Sequence, residues 1–149
     1  GAEQVLDQLS WNANLTVSAN KNRDYVTDPE NGKTKDTEII LSPNVIAGSQ
    51  LAWTAFPGFQ VSLLSKYVGK QYLDNTQTKS LTLDPYLVND IRANYTIKPK
   101  GVRAIDLSLL VNNIFNEKYE SNGATYGDGV AYYFPQAGTN LLAMITLKF

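Results

Sequence analysis

Residues 9–20 read LSWNANLTVSAN, and this stretch decides the fold class. Leu9, Trp11, Ala13, Leu15, Val17 and Ala19 alternate with Ser10, Asn12, Asn14, Thr16, Ser18 and Asn20 without an exception. Successive side chains of a strand point to opposite faces, so a period of two predicts an extended strand with one apolar and one polar face. Its length of about 12 residues exceeds the ~5–6 of an ordinary strand and reaches what a tilted strand needs to cross a bilayer.

The same period returns in residues 139–149, TNLLAMITLKF. Leu141, Ala143, Ile145, Leu147 and Phe149 share one parity there, and Asn140, Leu142, Met144, Thr146 and Lys148 the other. A large ring beside a carboxylate favours a boundary between apolar and aqueous surroundings. Between these ends the alternation recurs, with flaws. A second strand over residues 40–55 carries Val45, Ala47, Leu51 and Trp53, with Ile46 and Ala52 out of phase. A third carries Phe59, Val61, Leu63 and Tyr67. A fourth carries Leu87, Ile91, Ala93, Tyr95 and Ile97, spoiled by Asn89, and a fifth Ile105, Leu107, Leu109 and Val111.

The connections obey a rule. Residues 21–38 (KNRDYVTDPENGKTKDTE), 71–85 and 115–138 are long and polar, whereas Phe56-Pro57-Gly58 and Pro99-Lys100-Gly101 are tight turns. Long and short connections alternate, so every short turn falls at one end and every long loop at the other, as in outer-membrane barrels. The expected architecture is all-β, an antiparallel up-and-down meander of about six long strands forming a segment of a transmembrane β-barrel. Trp11, Trp53, Phe56, Phe59 and Phe149 would then lie near the short-turn end, with Tyr67, Tyr72 and Tyr86 near the other, like two interfacial girdles. Periodicity alone is equally met by a soluble β-barrel or sandwich that turns its apolar face inward around a small apolar ligand.

Composition narrows the functions. With no cysteine and no histidine among 149 residues, disulfides, thiol chemistry, histidine acid–base catalysis and the common zinc sites are excluded, and no cofactor is called for. A net charge of -1 argues against nucleic acid. No run of about 18 apolar residues is present to make a transmembrane helix, and no signal-peptide pattern opens the chain. Asp24, Asp28 and Glu30 sit close in sequence, but their spacing departs from a calcium loop and reads as a solvated loop. Asn14-Leu15-Thr16 and Asn94-Tyr95-Thr96 match a glycosylation pattern inside predicted strands, where it is discounted. A carbohydrate-active β domain would need paired carboxylates such as Asp84 and Asp90, and nothing in the sequence positions that pair.

Residues 111–120, VNNIFNEKYE, and 133–138, YFPQAG, leading into the last strand, resemble the C-terminal part of TonB-dependent outer-membrane receptors, particularly the Bacteroidetes type. Asn113-Ile114-Phe115-Asn116 followed by Tyr119 looks like that family's N-[LI]-F-[DN]-x-x-Y motif. The resemblance implies that residues 1–149 are one segment, about the last quarter of a barrel of about 22 strands, with the plug domain absent. It implies a non-enzymatic active-transport receptor for a scarce nutrient of the iron-chelate, cobalamin or glycan class, located in the cell outer membrane. Its partners would be outer-membrane lipid, the rest of the barrel and the plug. An inner-membrane energy-coupling protein would act through the missing N-terminal part. It further implies that Leu141, Ile145, Leu147 and Phe149 form the signal read by the barrel-assembly machinery, with edge-strand addition as the physical mode.

On this reading Tyr119, Asn122, Tyr126, Asp128, Tyr132 and Tyr133 belong to an outer loop. There tyrosine offers broad contact area at small entropic cost, making these residues ligand-binding candidates. Asp90 and Arg92 would face the lumen, able to meet the plug or to remain solvated in a polar wall. A six-stranded sheet with an apolar face and two bare edges is expected to curl on itself, self-associate or contact the remaining barrel.

Overall fold

A computed structural model describes residues 8–127 and 129–149. In chain order the strands are β1 (Leu9–Val17), β2 (Lys21–Asp28), β3 (Lys33–Glu38), β4 (Val45–Phe56), β5 (Phe59–Val68) and β6 (Gln71–Tyr72). They continue as β7 (Thr82–Leu83), β8 (Tyr86–Ile97), β9 (Ala104–Asn112), β10 (Glu120–Ala124), β11 (Tyr132–Pro135) and β12 (Asn140–Lys148). No α-helix occurs among the described residues. Six strands make one antiparallel sheet in the order β1-β4-β5-β8-β9-β12. This is the expected meander, each long strand pairing with the next, with β1 and β12 as its edges.

The register arranges the apolar residues in rows across neighbouring strands. Trp11, Leu51, Leu63, Ile91, Val111 and Leu141 form one, and Leu9, Trp53, Val61, Ala93, Leu109 and Ala143 the next. Opposite them Ser10, Ala52, Ser62, Arg92, Leu110 and Leu142 form a row of the other, more polar face. A one-residue slip anywhere would exchange the two faces, so the alternation itself fixes the register.

The short turns carry local devices that match their residues. A bulge between Thr54 and Phe56 puts Phe56 opposite Phe59, and the two rings stack 5.0 Å apart, with Tyr95 edge-on to both at 5.9 and 6.0 Å. Gly58 holds φ at +86°, and a Cβ there would meet the Thr96 carbonyl oxygen at 2.7 Å, so only glycine fits this turn. The three long polar connections are more ordered than their composition predicts. Each folds into a hairpin of its own: β2–β3, β6–β7 and β10–β11. These hairpins support one another. Leu41 N–H donates to the Tyr72 carbonyl at 3.0 Å and Asn22 Nδ2 to Asn75 Oδ1 at 3.1 Å. Leu73, Leu81 and Leu83 form a small buried cluster on which Ala131 packs.

Two expectations need correction. The tyrosine girdle at the long-loop end reduces to Tyr67, which lies on the apolar face across from Leu87. Tyr86 is buried on the polar face against Tyr119, and Tyr72 belongs to the β6–β7 hairpin, under the Lys70 ammonium. Nor does the sheet curl up to hide its apolar face. Leu15, Ile91 and Leu109 are 68%, 37% and 41% exposed, and β1 and β12 do not pair. The reason is geometric: closure needs strand number, tilt and stagger to match one another, and the six strands here leave β1 and β12 as separate edges.

Candidate functional site

The connection from β9 to β12 holds the motif and most of the predicted binding residues, and it divides into two parts. The first is a knot of hydrogen bonds around Asn113, which is only 3% exposed and holds φ at +50°, a conformation Asn tolerates better than most residues. Its N–H donates to Asp90 Oδ1 at 2.8 Å. Its Nδ2 donates to the carbonyls of Glu117 at 2.9 Å and Ala137 at 3.3 Å, while its Oδ1 accepts from the Glu117 N–H at 2.8 Å. Its carbonyl accepts from Thr139 Oγ1 at 2.7 Å and from the Asn116 N–H at 2.9 Å. Asn116, also left-handed at φ +54°, takes the Thr139 N–H on its Oδ1 at 3.2 Å. The Ile114 N–H reaches the Asn89 carbonyl at 2.8 Å. The motif therefore fastens three strands, β8, β9 and β12, at the long-loop end, which gives each of its asparagines a structural task.

The second part is the β10–β11 hairpin, tied to the knot where the Gln136 N–H donates to the Tyr119 carbonyl at 3.0 Å. Gly123 is needed here: a Cβ would lie 3.1 Å from Leu73 Cδ1 and 2.9 Å from the Tyr132 carbonyl oxygen, so its bare backbone lets the hairpin sit on the leucine cluster. Asn122 and Phe134 are opposite one another in the ladder, as are Gly123 and Tyr133, and Ala124 and Tyr132. Tyr132 and Phe134 thus share one face of the hairpin and Tyr133 takes the other. Tyr126, 76% exposed, meets Tyr132 edge-on at 5.3 Å.

Of the predicted loop residues, the structure joins Tyr126 to Tyr132 and places Asn122 and Tyr133 on the same hairpin. Asn122 turns its Oδ1 to the Gly123 N–H at 2.8 Å. Tyr119 stands apart, its ring 4.3 Å from that of Tyr86 and tilted 32° to it, lining a hollow with Asp90 and Asn140. Burial, then the Asp90 carboxylate, push its phenol above the ordinary value. Asp128 lies outside the described residues. Sequence reading missed Asn113 and Asn116 as structural centres and Tyr86 as the partner of Tyr119. The motif's two asparagines at i and i+3 were the available signal.

Asp90 and Arg92 both lie on the polar face, since Asp90 pairs in register with Leu64 and Arg92 with Ser62. Asp90 is engaged by the Asn113 N–H, so it is more than a solvated charge. Leu141, Ile145 and Leu147 project from one face of the edge strand β12, with Ile145 70% exposed, and Phe149 follows at 90%. Among the described residues no cluster of acids is fit to hold a metal ion. Asp28 instead takes the side-chain amide and the N–H of Asn31, which lower its carboxyl below the ordinary value, and lies 3.9 Å from Lys33 Nζ.

No family model matches the sequence. Among curated proteins the chain is similar to the ferrioxamine receptor of Yersinia enterocolitica, 29% identical over 132 residues, covering 87% of this chain and 17% of that receptor. Among solved structures it matches the siderophore receptor PiuA of Acinetobacter baumannii with a TM-score of 0.67 at 19% identity, over 96% of this chain and 20% of that one. It matches the ferric enterobactin receptor PfeA of Pseudomonas aeruginosa with a TM-score of 0.66 at 22% identity, again over 96% of this chain and 20% of that one. The fold is that of a siderophore-receptor barrel wall. The chain spans 17% of the curated relative's length and about a fifth of the solved receptors. These relatives come from Yersinia, Acinetobacter and Pseudomonas, and the narrower likeness to the Bacteroidetes type finds no support among them.

Proposed function

We propose that this chain is the C-terminal wall of a TonB-dependent receptor that takes a ferric chelate across the outer membrane, and that it performs no enzymatic step. The observation that carries the reading is the open apolar face of the six-stranded sheet, joined to three polar hairpins gathered at one end. In water such a face is an aggregation surface, whereas in a bilayer the lipid hydrocarbon solvates it. A soluble barrel or sandwich would need those same side chains in a dry interior, and Leu15 and Ile145 are 68% and 70% exposed. The relatives are named for ferrioxamine and enterobactin, which favours the iron-chelate class; cobalamin and glycan uptake have no counterpart among them.

On this reading the apolar rows touch lipid. The face carrying Asp90 and Arg92 lines the lumen toward a plug, and β1 and β12 pair with strands beyond this chain. The short turns face the periplasm. Energy would come from an inner-membrane protein through the plug, and Leu141, Ile145, Leu147 and Phe149 on the free edge strand would be read during barrel assembly. The tyrosines of the β10–β11 hairpin, with Asn122 and Asp128, would meet the arriving chelate. The test is uptake by iron-starved cells lacking the polypeptide that carries this chain. They should lose accumulation of at least one labelled ferric hydroxamate or catecholate and regain it on complementation. Unchanged uptake of every such chelate, or a parent polypeptide that stays monomeric without detergent, would overturn the proposal.

A further inference from the structure

The apolar face is not uniform. On β5, β8, β9 and β12 two neighbouring rows, Phe59-Tyr95-Leu107-Ile145 and Ala93-Leu109-Ala143, line an open, shallow hollow of about 260 Å³. Ala93 and Ala143 leave space that the larger side chains around them bound. Three residues beyond Tyr95, about 10 Å along the strand, the β8–β9 turn begins. That turn, residues 98–103 (KPKGVR), carries Lys98, Lys100 and Arg103 and no acid. All three cations are exposed, and among the described residues none is in an ion pair. Lys148, the neighbouring cation, is spoken for by Asp106 at 2.5 Å. The other short turn, Phe56-Pro57-Gly58-Phe59, bears no charge, so of the two short turns the cations belong to the one nearest the hollow.

We infer that this hollow seats one acyl chain of an anionic phospholipid whose phosphate is held by Lys98, Lys100 and Arg103. The inference rests on the membrane reading above, which puts the short turns at the periplasmic interface. An apolar seat and, past the Ile97-Ile105-Leu147 row, a cationic turn joining β8 and β9 match the two halves of a phospholipid. Gly101, at φ +92° with open space around it, gives the turn a tip on which a headgroup meets no obstruction. The Phe56, Phe59 and Tyr95 rings cluster at the edge of the hollow nearest the turn, where aromatic rings suit a membrane interface.

The test uses the full polypeptide in dodecylmaltoside, with phosphatidylglycerol or phosphatidylcholine added and retained lipid counted by native mass spectrometry. Wild type should retain phosphatidylglycerol in preference to phosphatidylcholine. Removing one phosphate-facing cation should lower that retention about fivefold, and Lys98→Gln, Lys100→Gln and Arg103→Gln together by more. Ala143→Leu, which fills the hollow and leaves the charges in place, should lower retention as well. Ala93→Val serves as a milder filling variant should the first fail to fold. Equal retention of the two lipids, undiminished phosphatidylglycerol in the triple variant, or indifference to filling the hollow would each overturn the site. A detergent-dependent barrel with no lipid preference sinks this inference alone, whereas a parent soluble without detergent sinks the membrane reading with it.

Discussion

The connection between β9 and β12 contains two regions that differ in almost every physical respect. Around Asn113 the backbone is buried, bent into left-handed conformations, and saturated with hydrogen bonds reaching β8, β9 and β12. Twelve or so residues on, the β10–β11 hairpin exposes Tyr126, Tyr132, Tyr133 and Phe134. The knot holds the most recognisable stretch of the sequence, and the hairpin tip holds the residues best suited to touch a ligand. Recognisability here tracks architecture, because a backbone that bends twice through positive φ accepts few side chains, whereas an exposed aromatic tip accepts many.

The difference is broken most directly at Asn113. Asn113→Ala removes the acceptor of the Glu117 N–H and the donors to Glu117 and Ala137, and puts alanine at φ +50°. Leaving several buried backbone groups without partners should cost about 3 kcal/mol or more. Urea unfolding of the detergent-solubilised polypeptide, followed by heat-dependent gel mobility, would measure this. A loss near zero would show that the knot is ornamental.

A pair of glycines sharpens the contrast. A Cβ on Gly138 would lie 2.4 Å from Asn116 Oδ1, the atom that accepts the Thr139 N–H, so Gly138→Ala must displace the Asn116 amide and break that bond. Gly127 sits at φ +85° near the hairpin tip with nothing within 4 Å. The first substitution should lower stability by about 2 kcal/mol, and the second by about 1 kcal/mol of local strain that leaves the global transition unmoved. Equal shifts in the unfolding midpoint would erase the distinction between the two regions.

At the tip the expected effect changes character. Tyr126→Ala with Tyr132→Ala loses one edge-on ring pair on an exposed surface, worth about 1 kcal/mol locally. Chelate binding to whole cells, read by quenching or by radiolabel, should weaken about tenfold, as loss of aromatic anchors does. Unchanged binding would remove the hairpin from the proposed site without touching the wall.

How much of this was legible follows from the physics of each element. The wall could be read because β1 alternates without a fault and a period of two leaves one register that buries nothing polar in lipid. Gly58 and Gly101 marked the short turns. The hairpin β2–β3 was hidden because its strands carry charges and threonines on both faces, leaving no apolar stripe to detect, and β6–β7 because its strands, two residues each, are too short to show a period. Asn89 broke the parity of β8, and the structure supplies part of the reason: its Oδ1 accepts a hydrogen bond from Ser65 Oγ at 2.6 Å, two polar side chains satisfying each other on the apolar face. The ring contact of Tyr86 with Tyr119 joins residues far apart in sequence, and no local pattern announces it.

The smallest effect concerns Tyr119, where knot and hairpin meet. Burial and then the Asp90 carboxylate raise its phenol above the ordinary value of 10.0, so it stays protonated at a pH where a free tyrosine has begun to ionise. The sign of the linkage follows. With the folded value raised, the folded state binds more protons than the unfolded above pH 10, and stability falls as pH rises through that window while below it the contribution is intact. Asp90→Asn removes the smaller cause and keeps the larger, so the phenolate absorbance of Tyr119, isolated by difference against Tyr119→Phe, should titrate lower than in wild type yet still above 10.0. A Tyr119 that already titrates at the ordinary value in wild type would place it with the exposed tip tyrosines, and the boundary between the two regions would move back toward Glu117.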